Sequence, residues 1–571
     1  YQYDVSKVRD VLYGIDALEN MEGRVSIHYV GYYYNMLLKD CVFILPKVLL
    51  KDVDGQELVF GKYKPEDIAN LDTFDSKERS FLYKFAVWIY RAIVVYKNDR
   101  HNDTRIVCQS YIAQMCHRGR RQSNTYLDIL LSLIQFNQDN QSFFFFIIKN
   151  LHSGLNKINW QRTIATKTAI IQNEQAVYLN PVNKRRQINF DEELLIIFFS
   201  ILNYIGDTYG FPKDICCQFQ LITGKRFDTY LNGFGKTRLR QIKYKYFSDK
   251  ALQLWHLCYN FFDEAQQVMV ATEQRDYLLV KNFYVVFEAI IDELIGDNPL
   301  PDGMEKQQED GKIVDHLFTS QSLIAGENEQ TYYIGDSKYY KIGHELGSQS
   351  IYKQYTYARN VIQWNIDIFS NGDKPSSGVR LRDDVTEGYN ILPNFFISAK
   401  MNEMFSYDDD NIEKTDRKRN RHKRVQFDNR LFDRDTLLLS HYDVNFLYVL
   451  SLYARDNQSQ KTAWKMKVRQ CFCKEIQKWL DEDYDFYFIK AKTGVDDKEY
   501  FKTHFQQLLG KFYAPFEQYK DIYSLALEKG EKYQQENKLL LNQLKDYFFV
   551  EKFKLEKDQQ DVLVRMRTRT H

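Results

Sequence analysis

Three ionisable residues stand out because their types and spacing could hold a hard cation against a phosphate. Asp315 interrupts the apolar run Gly311-Lys-Ile-Val-Asp-His-Leu-Phe318, where a charged side chain has no structural reason to be. Asp336 and Lys338 follow Tyr332-Tyr-Ile-Gly and lie two apart, so on a strand both point to one face. Two carboxylates beside an ammonium suit a divalent-ion site. The acids bind an oxygen-loving ion such as Mg²⁺, and the lysine orients or helps deprotonate a water. Upstream, Glu288 stands beside the stripe of Phe287, Ile291 and Leu294, where an acid costs free energy unless a cation pairs with it. Downstream, Lys353 and Tyr357 are four apart and share a helix face, with Gln354 beside them.

These side chains need strands to carry them and helices to flank the strands. The pattern predicts a helix over 276–295, strands over 311–318, 331–338 and 392–399, and a helix over 349–365. Strands alternating with helices indicate an α/β domain. A further strand and helix follow around 435–442 and 446–454, with His441 and Asp443 read as the strand end and helix cap. The charged stretch 406–424 reads as a solvated loop. Earlier in the chain, strands are expected near 24–31, 41–50 and 57–61. Helices are expected over 77–96, 126–134, 141–151, 191–205 and 249–265, and short strands over 158–164, 166–171 and 176–180. The tail from about 463 to 555 reads as helical. The chain divides on this reading into a β-rich and helical region (1–155), a middle region with a basic segment (156–265), an α/β domain (266–455) and a helical C-terminal region (456–571).

Composition narrows the function classes. The chain has 571 residues, 44% of them apolar and 27% charged, which suits a folded multidomain protein. Lys plus Arg number 78 against 77 Asp plus Glu, so bulk positive charge cannot carry nucleic-acid binding and local patches must. One such patch is Lys236, Arg238, Arg240, Lys243 and Lys245, interleaved with Tyr244 and Tyr246, which could track a DNA backbone. In the same segment Gly233-Phe-Gly-Lys-Thr237 lacks the first glycine of a phosphate-cradling loop, because Tyr230 stands in its place. The eight cysteines form no CxxC pair, which argues against structural zinc or an iron–sulfur cluster and for reduced thiols in the cytoplasm. No apolar stretch approaches membrane-spanning length and no signal peptide is visible, so neither a membrane nor an export route is expected.

The order helix acid, strand Asp, strand D-x-K, helix with a polar residue and Tyr resembles the PD-(D/E)XK nuclease superfamily over residues 280–400. That resemblance implies a mixed sheet flanked by helices and Mg²⁺-dependent cleavage of double-stranded DNA, with Mn²⁺ as an alternative ion. It makes Asp315, Asp336 and the Ser337 carbonyl the metal ligands, Lys338 the water-positioning residue and Glu288 the helix acid. Lys353, Gln354 and Tyr357 become supporting residues. Asp315 follows Val314 where many relatives have Pro, and Lys353 stands where many have Gln. Gly335-Asp-Ser-Lys-Tyr-Tyr-Lys with Ser348-Gln-Ser-Ile-Tyr further resembles McrC-like endonuclease subunits, as do Asn159-Trp-Gln-Arg-Thr-Ile and Tyr178. The stretches 247–255 and 433–447 resemble LlaJI-type restriction endonucleases. Relatives of this kind imply a bacterial defence role with an AAA+ GTPase or ATPase partner. The alternatives are a non-cleaving DNA-binding or assembly subunit on the same fold, and a RecB-like repair nuclease.

Overall fold

A computed structural model describes residues 2–569 apart from 5–7, 14–17, 22–23, 36, 39, 70–73, 100–105, 109–120, 124–125, 142–144, 151–157, 189–191, 212, 214, 216–218, 247–248, 264–267, 271–277, 301–305, 308–310, 325–328, 340–347, 371–378, 380, 415–420, 425–427 and 456. Cys116, Cys216, Cys217 and the centre of the charged stretch fall outside the described residues. The chain is mixed α/β and forms two compact units, Tyr1–Leu45 with Glu66–Lys281, and Pro46–Pro65 with Asn282–His571. Among the described residues no helix is long and apolar enough to cross a membrane.

In the first unit, Tyr29–Asn35, Asp40–Ile44, Leu278–Lys281 and Ile106–Cys108 make a four-stranded antiparallel sheet. Helices Ser76–Asp99, Tyr126–Asp139, Glu193–Tyr209 and Asp249–Asp263 supply most of its buried apolar surface. Asp75 starts the first of these by accepting the Lys77 and Glu78 amides at 2.8 Å, the capping that an isolated N-terminus lacks. Three expectations fail in this unit. Residues 145–150 form a strand paired with Asn183–Ile188 instead of a helix, as the aromatic and β-branched run Phe-Phe-Ile-Ile favours. Trp160–Thr166 is a helix instead of a strand, because the Asn159 side chain accepts from the Arg162 amide and caps it. Of the predicted helix over 276–295, Leu278–Lys281 is a strand and the helix begins only at Tyr284. Asn282 breaks the run by taking a left-handed backbone, φ 59°, which Asn tolerates better than most residues.

The second unit carries the residues of interest. Helix α1 (Tyr284–Ile295) leads into strands β1 (His316–Gln321) and β2 (Gln330–Lys338), then helix α2 (Ser348–Ser370), strand β3 (Pro393–Lys400), strand β4 (Leu437–Asn445) and helix α3 (Phe446–Ala454). β1 pairs antiparallel with β2, whereas β2, β3 and β4 run parallel. Helix α2 is the crossover that a parallel β2–β3 pair requires. The expected loop at 406–424 instead contributes Ile412–Lys414 and Arg421–Arg424, both antiparallel to β4, which complete a mixed six-stranded sheet. Alternation splits its faces. Tyr332, Ile334, Phe396, Leu437 and Leu439 pack with Tyr357, Ala358 and Val361 of α2. On the other face, Tyr442 stacks on Phe472 of helix α4 (Gln458–Asp483) and Phe395 packs against the same ring at a tilt.

Helix α4 also fixes the C-terminus of α1. Arg469 donates to the Ile295 carbonyl at 3.0 Å and to Asp297 at 2.7 Å, and lies 4.3 Å from the Phe318 ring centre. Lys465 donates to the Gly296 carbonyl at 2.7 Å. Two cations thus satisfy carbonyls at a helix end whose dipole favours positive charge. The remaining tail departs from the helical expectation. After α4, strands β5 (Tyr484–Ala491), β6 (Phe512–Tyr513), β7 (Ile522–Glu528) and β8 (Phe548–Phe553) form an antiparallel sheet in the order β6-β7-β5-β8. Tyr484, Phe486 and Phe488 are buried at intervals of two, a strand period hidden in a segment rich in charged helix formers. Asn445, not Asp443, caps α3, accepting the Leu447 amide at 3.2 Å.

Candidate active site

The end of β2 brings the predicted residues together. Asp336 and Lys338 share the face that α2 covers, Asp336 is 2% exposed, and its carboxylate is paired with the Lys338 ammonium. Parallel register sets Asp336 opposite Phe396 and Lys338 opposite Ser398. The Lys338 ammonium lies 5.5 Å from the centre of the Phe396 ring, which shields one side of the ion pair. Asp315 arrives from the turn just before β1. Its Oδ2 accepts the Ser337 amide at 3.1 Å, so the two acids are joined through the main chain between Asp336 and Lys338.

Burial, reinforced by crowding of like charge, dominates the electrostatics. Burial, then a hydrogen bond and repulsion from Asp336, then repulsion from Glu288, push the Asp315 carboxyl up to about 9 against a modest opposing pull from Lys338. Glu288, half-buried on α1, therefore belongs to the same cluster. On α2, Lys353 is exposed and its ammonium lies 5.2 Å from the Tyr357 ring centre. Burial alone would lower its pKa, but Tyr357, Asp336 and Asp315 outweigh that and hold it above the ordinary lysine value. Gln354 points elsewhere. It is fully buried and donates to the Ile334 carbonyl at 2.9 Å, clipping α2 to β2. Of the two polar candidates on α2, Lys353 is thus the one beside the acids.

Among the described residues no three His, Cys, Asp or Glu side chains are arranged to enclose a metal. A Mg²⁺ site needs no such cage, because the ion keeps several waters and is held by one or two carboxylates. The donor set fits an ion of that kind: hard oxygen ligands only, crowded until one of them retains a proton, a condition that a cation relieves. Ser337 lies between Asp336 and Lys338 on the same strand segment. The basic segment of the first unit is differently placed. Lys236 pairs with Asp263, Arg238 with Glu193, and Lys245 with Glu193 at 3.6 Å. Arg240 donates to the Tyr259 hydroxyl at 2.9 Å, and Lys243 lies 4.4 Å from the Trp255 ring centre. Much of its charge is compensated within the unit. Gly233, at φ 105°, forms a kink between two helical stretches, and the segment follows the helix Lys225–Thr229, not a strand as a phosphate loop requires.

Several contributors were not foreseen. On the face opposite α2, His316 is fully buried between Asp292 and the Ser337 hydroxyl. Burial sets its pKa below the ordinary histidine value despite the pull of Asp292. Asp292 one turn after Glu288, and His316 next to Asp315, were the available signals. Gly335 is the other. A Cβ there would lie 2.2 Å from the Phe395 ring, its partner on β3. Gly335→Ala is expected to cost about 1–3 kcal/mol of stability through overpacking. Because the strain falls on the residue before Asp336, cleavage should fall further than stability predicts; thermal melting and rate assays on one preparation check this.

No family model matches the chain, and no curated protein matches it.

Proposed function

We propose that the second unit is a divalent-metal-dependent deoxyribonuclease acting on double-stranded DNA. The observation that carries this is the junction at the end of β2, where Asp315, Asp336 and Lys338 meet through the Ser337 amide while Glu288 and Lys353 flank them. The order α1, β1, β2, α2, β3, with acids on α1, before β1 and on β2, supports the PD-(D/E)XK resemblance. Asp315, Asp336 and the Ser337 carbonyl would hold the ion, which when bound neutralises charge developing on the phosphate. Glu288 adds negative charge at the rim. Lys338 would hydrogen-bond the attacking water, and Lys353 would meet a phosphate oxygen.

The McrC-like reading adds a nucleotide-hydrolysing AAA+ partner, which fits a chain whose own Gly233–Thr237 segment follows a helix, not a strand, and so does not form a phosphate loop. A cleavage assay on supercoiled and linear duplex DNA tests the proposal. Cutting with Mg²⁺ or Mn²⁺ that EDTA abolishes is the expected result, and a partner with GTP or ATP should accelerate it. DNA binding without cutting under every metal and partner condition favours a non-cleaving assembly subunit. Full activity without partner or nucleotide favours a stand-alone repair nuclease.

A further inference from the structure

Behind the acidic cluster lies a closed circuit of hydrogen bonds. The Asp292 carboxylate pairs with Lys306, whose ammonium also donates to the Asp315 carbonyl at 2.8 Å. The Asp315 carboxylate accepts the Ser337 amide at 3.1 Å. The Ser337 hydroxyl meets His316 Nε2, and His316 Nδ1 returns to Asp292 at 3.4 Å. A carboxylate can only accept, so Nδ1 carries the proton, and in the neutral ring Nε2 accepts from the serine hydroxyl. The order Asp–His–Ser is that of nucleophilic hydrolases. Here, however, Ser337 is 5% exposed and its hydroxyl is held on the α1 side of the sheet, where no acyl group reaches it.

Each member of the circuit is a chain neighbour of the cluster on the opposite side. Asp292 is one helical turn from Glu288. His316 follows Asp315. Ser337 separates Asp336 from Lys338. The circuit therefore ties α1, the turn before β1 and the end of β2 into one frame, and these three segments carry the acids. Were it opened, Asp315 would be held to β2 only by its own contacts to the Ser337 amide and the Asp336 carboxylate, with nothing to fix the turn that carries it once a bound ion displaces its proton. Buried polar networks resist such loosening when every member is satisfied.

We propose that Asp292, Lys306, His316 and the Ser337 hydroxyl are positioning residues that set the spacing of Asp315 and Asp336 for a divalent ion. The proposal rests on the reading of those two acids as metal ligands. Partners that orient metal ligands typically cost 10–100-fold in metal affinity when removed.

The test breaks the circuit at two separated points, with Ser337→Ala and Lys306→Ala, and avoids the fully buried His316, whose loss endangers folding. Mn²⁺ binding to the full chain without DNA is read by electron paramagnetic resonance of the free ion. The Mg²⁺ dependence of cleavage is read in parallel. Each variant should lose about 10–100-fold in Mn²⁺ affinity and need correspondingly more Mg²⁺ for half-maximal cutting; for Lys306→Ala, which supplies no ligand to the ion, the rate at saturating Mg²⁺ should change little. Lys306→Arg, which keeps the charge, should recover most of the affinity, and the double variant should lose less than the sum of the singles. A merely structural lesion lowers the plateau rate and leaves the Mg²⁺ midpoint in place, and that outcome overturns the proposal. Unchanged Mn²⁺ affinity in both variants, with wild-type binding intact and abolished by Asp336→Ala, overturns it alone. A wild-type chain that binds no Mn²⁺, or an Asp336→Ala chain that binds as wild type does, overturns the site reading as well.

Discussion

Asp336→Ala and Lys338→Ala should each lower DNA cleavage by about 10³-fold or more, near the upper range for losing a group that acts on the attacking water or the transition-state charge. Their effects on stability should differ in sign. Removing Asp336 takes away the hydrogen bond and the charge that, after burial, do most to keep Asp315 protonated, and leaves Asp315 beside the Lys338 ammonium. One acid of a crowded cluster is lost while its cation stays, so the metal-free chain should melt at the same temperature or higher. Removing Lys338 leaves Asp336, 2% exposed, without its counter-ion beside a second acid, and should destabilise the metal-free chain by about 3 kcal/mol. Plasmid nicking rates paired with thermal melting separate these outcomes. Wild-type cutting by either variant removes that residue from the site. Equal loss of activity and stability in both would mean that folding, not chemistry, had been measured.

How much of this was legible beforehand depends on whether the governing contact was local. Asp336-x-Lys338 at the end of an apolar run is a local signal, and strand periodicity alone put both side chains on one face. Strand Gln330–Lys338, helix Ser348–Ser370 and strand Pro393–Lys400 lie within a few residues of expectation because their hydrophobic periods are uninterrupted. The need for glycine at 335 was not legible, since the ring that excludes a side chain belongs to Phe395, which only the parallel register brings alongside. His316 looked like one more residue of a strand; its role appears only when α1 delivers Asp292 to it. Errors in element type share a cause. In the tail, the short run Tyr484–Ala491 is itself rich in aromatic strand formers and pairs with β7 and β8, but the longer charged helix-forming stretches on either side of it set the expectation. At 158–164 a side-chain cap decided the matter, and at 276–295 one left-handed Asn did. The basic segment was legible as charge but not as compensated charge, because Glu193 and Asp263 approach it from distant helices.

Metal affinity should rise about tenfold per pH unit through neutrality, because the ion must displace a proton from Asp315. The ordinary carboxyl value is near 3.8, and the folded, metal-free chain holds this one up to about 9. Between those limits the folded chain keeps a proton that the unfolded chain has released. The stability contributed by that proton is complete below about pH 4 and is lost progressively as the pH rises toward 9. Without metal, the melting temperature should therefore decline with rising pH across this window; saturating Mg²⁺ should reverse the trend, because ionised Asp315 then gains a cation. Asp315→Asn should flatten the metal-free slope and weaken ion binding to a level that no longer varies with pH. Calorimetry of Mn²⁺ binding in two buffers of different ionisation enthalpy counts the protons, and close to one per ion is expected near pH 7. An affinity independent of pH between 6 and 8 would show that Asp315 is already ionised before the metal arrives, and the charge crowding that makes this cluster a cation site would be gone with it.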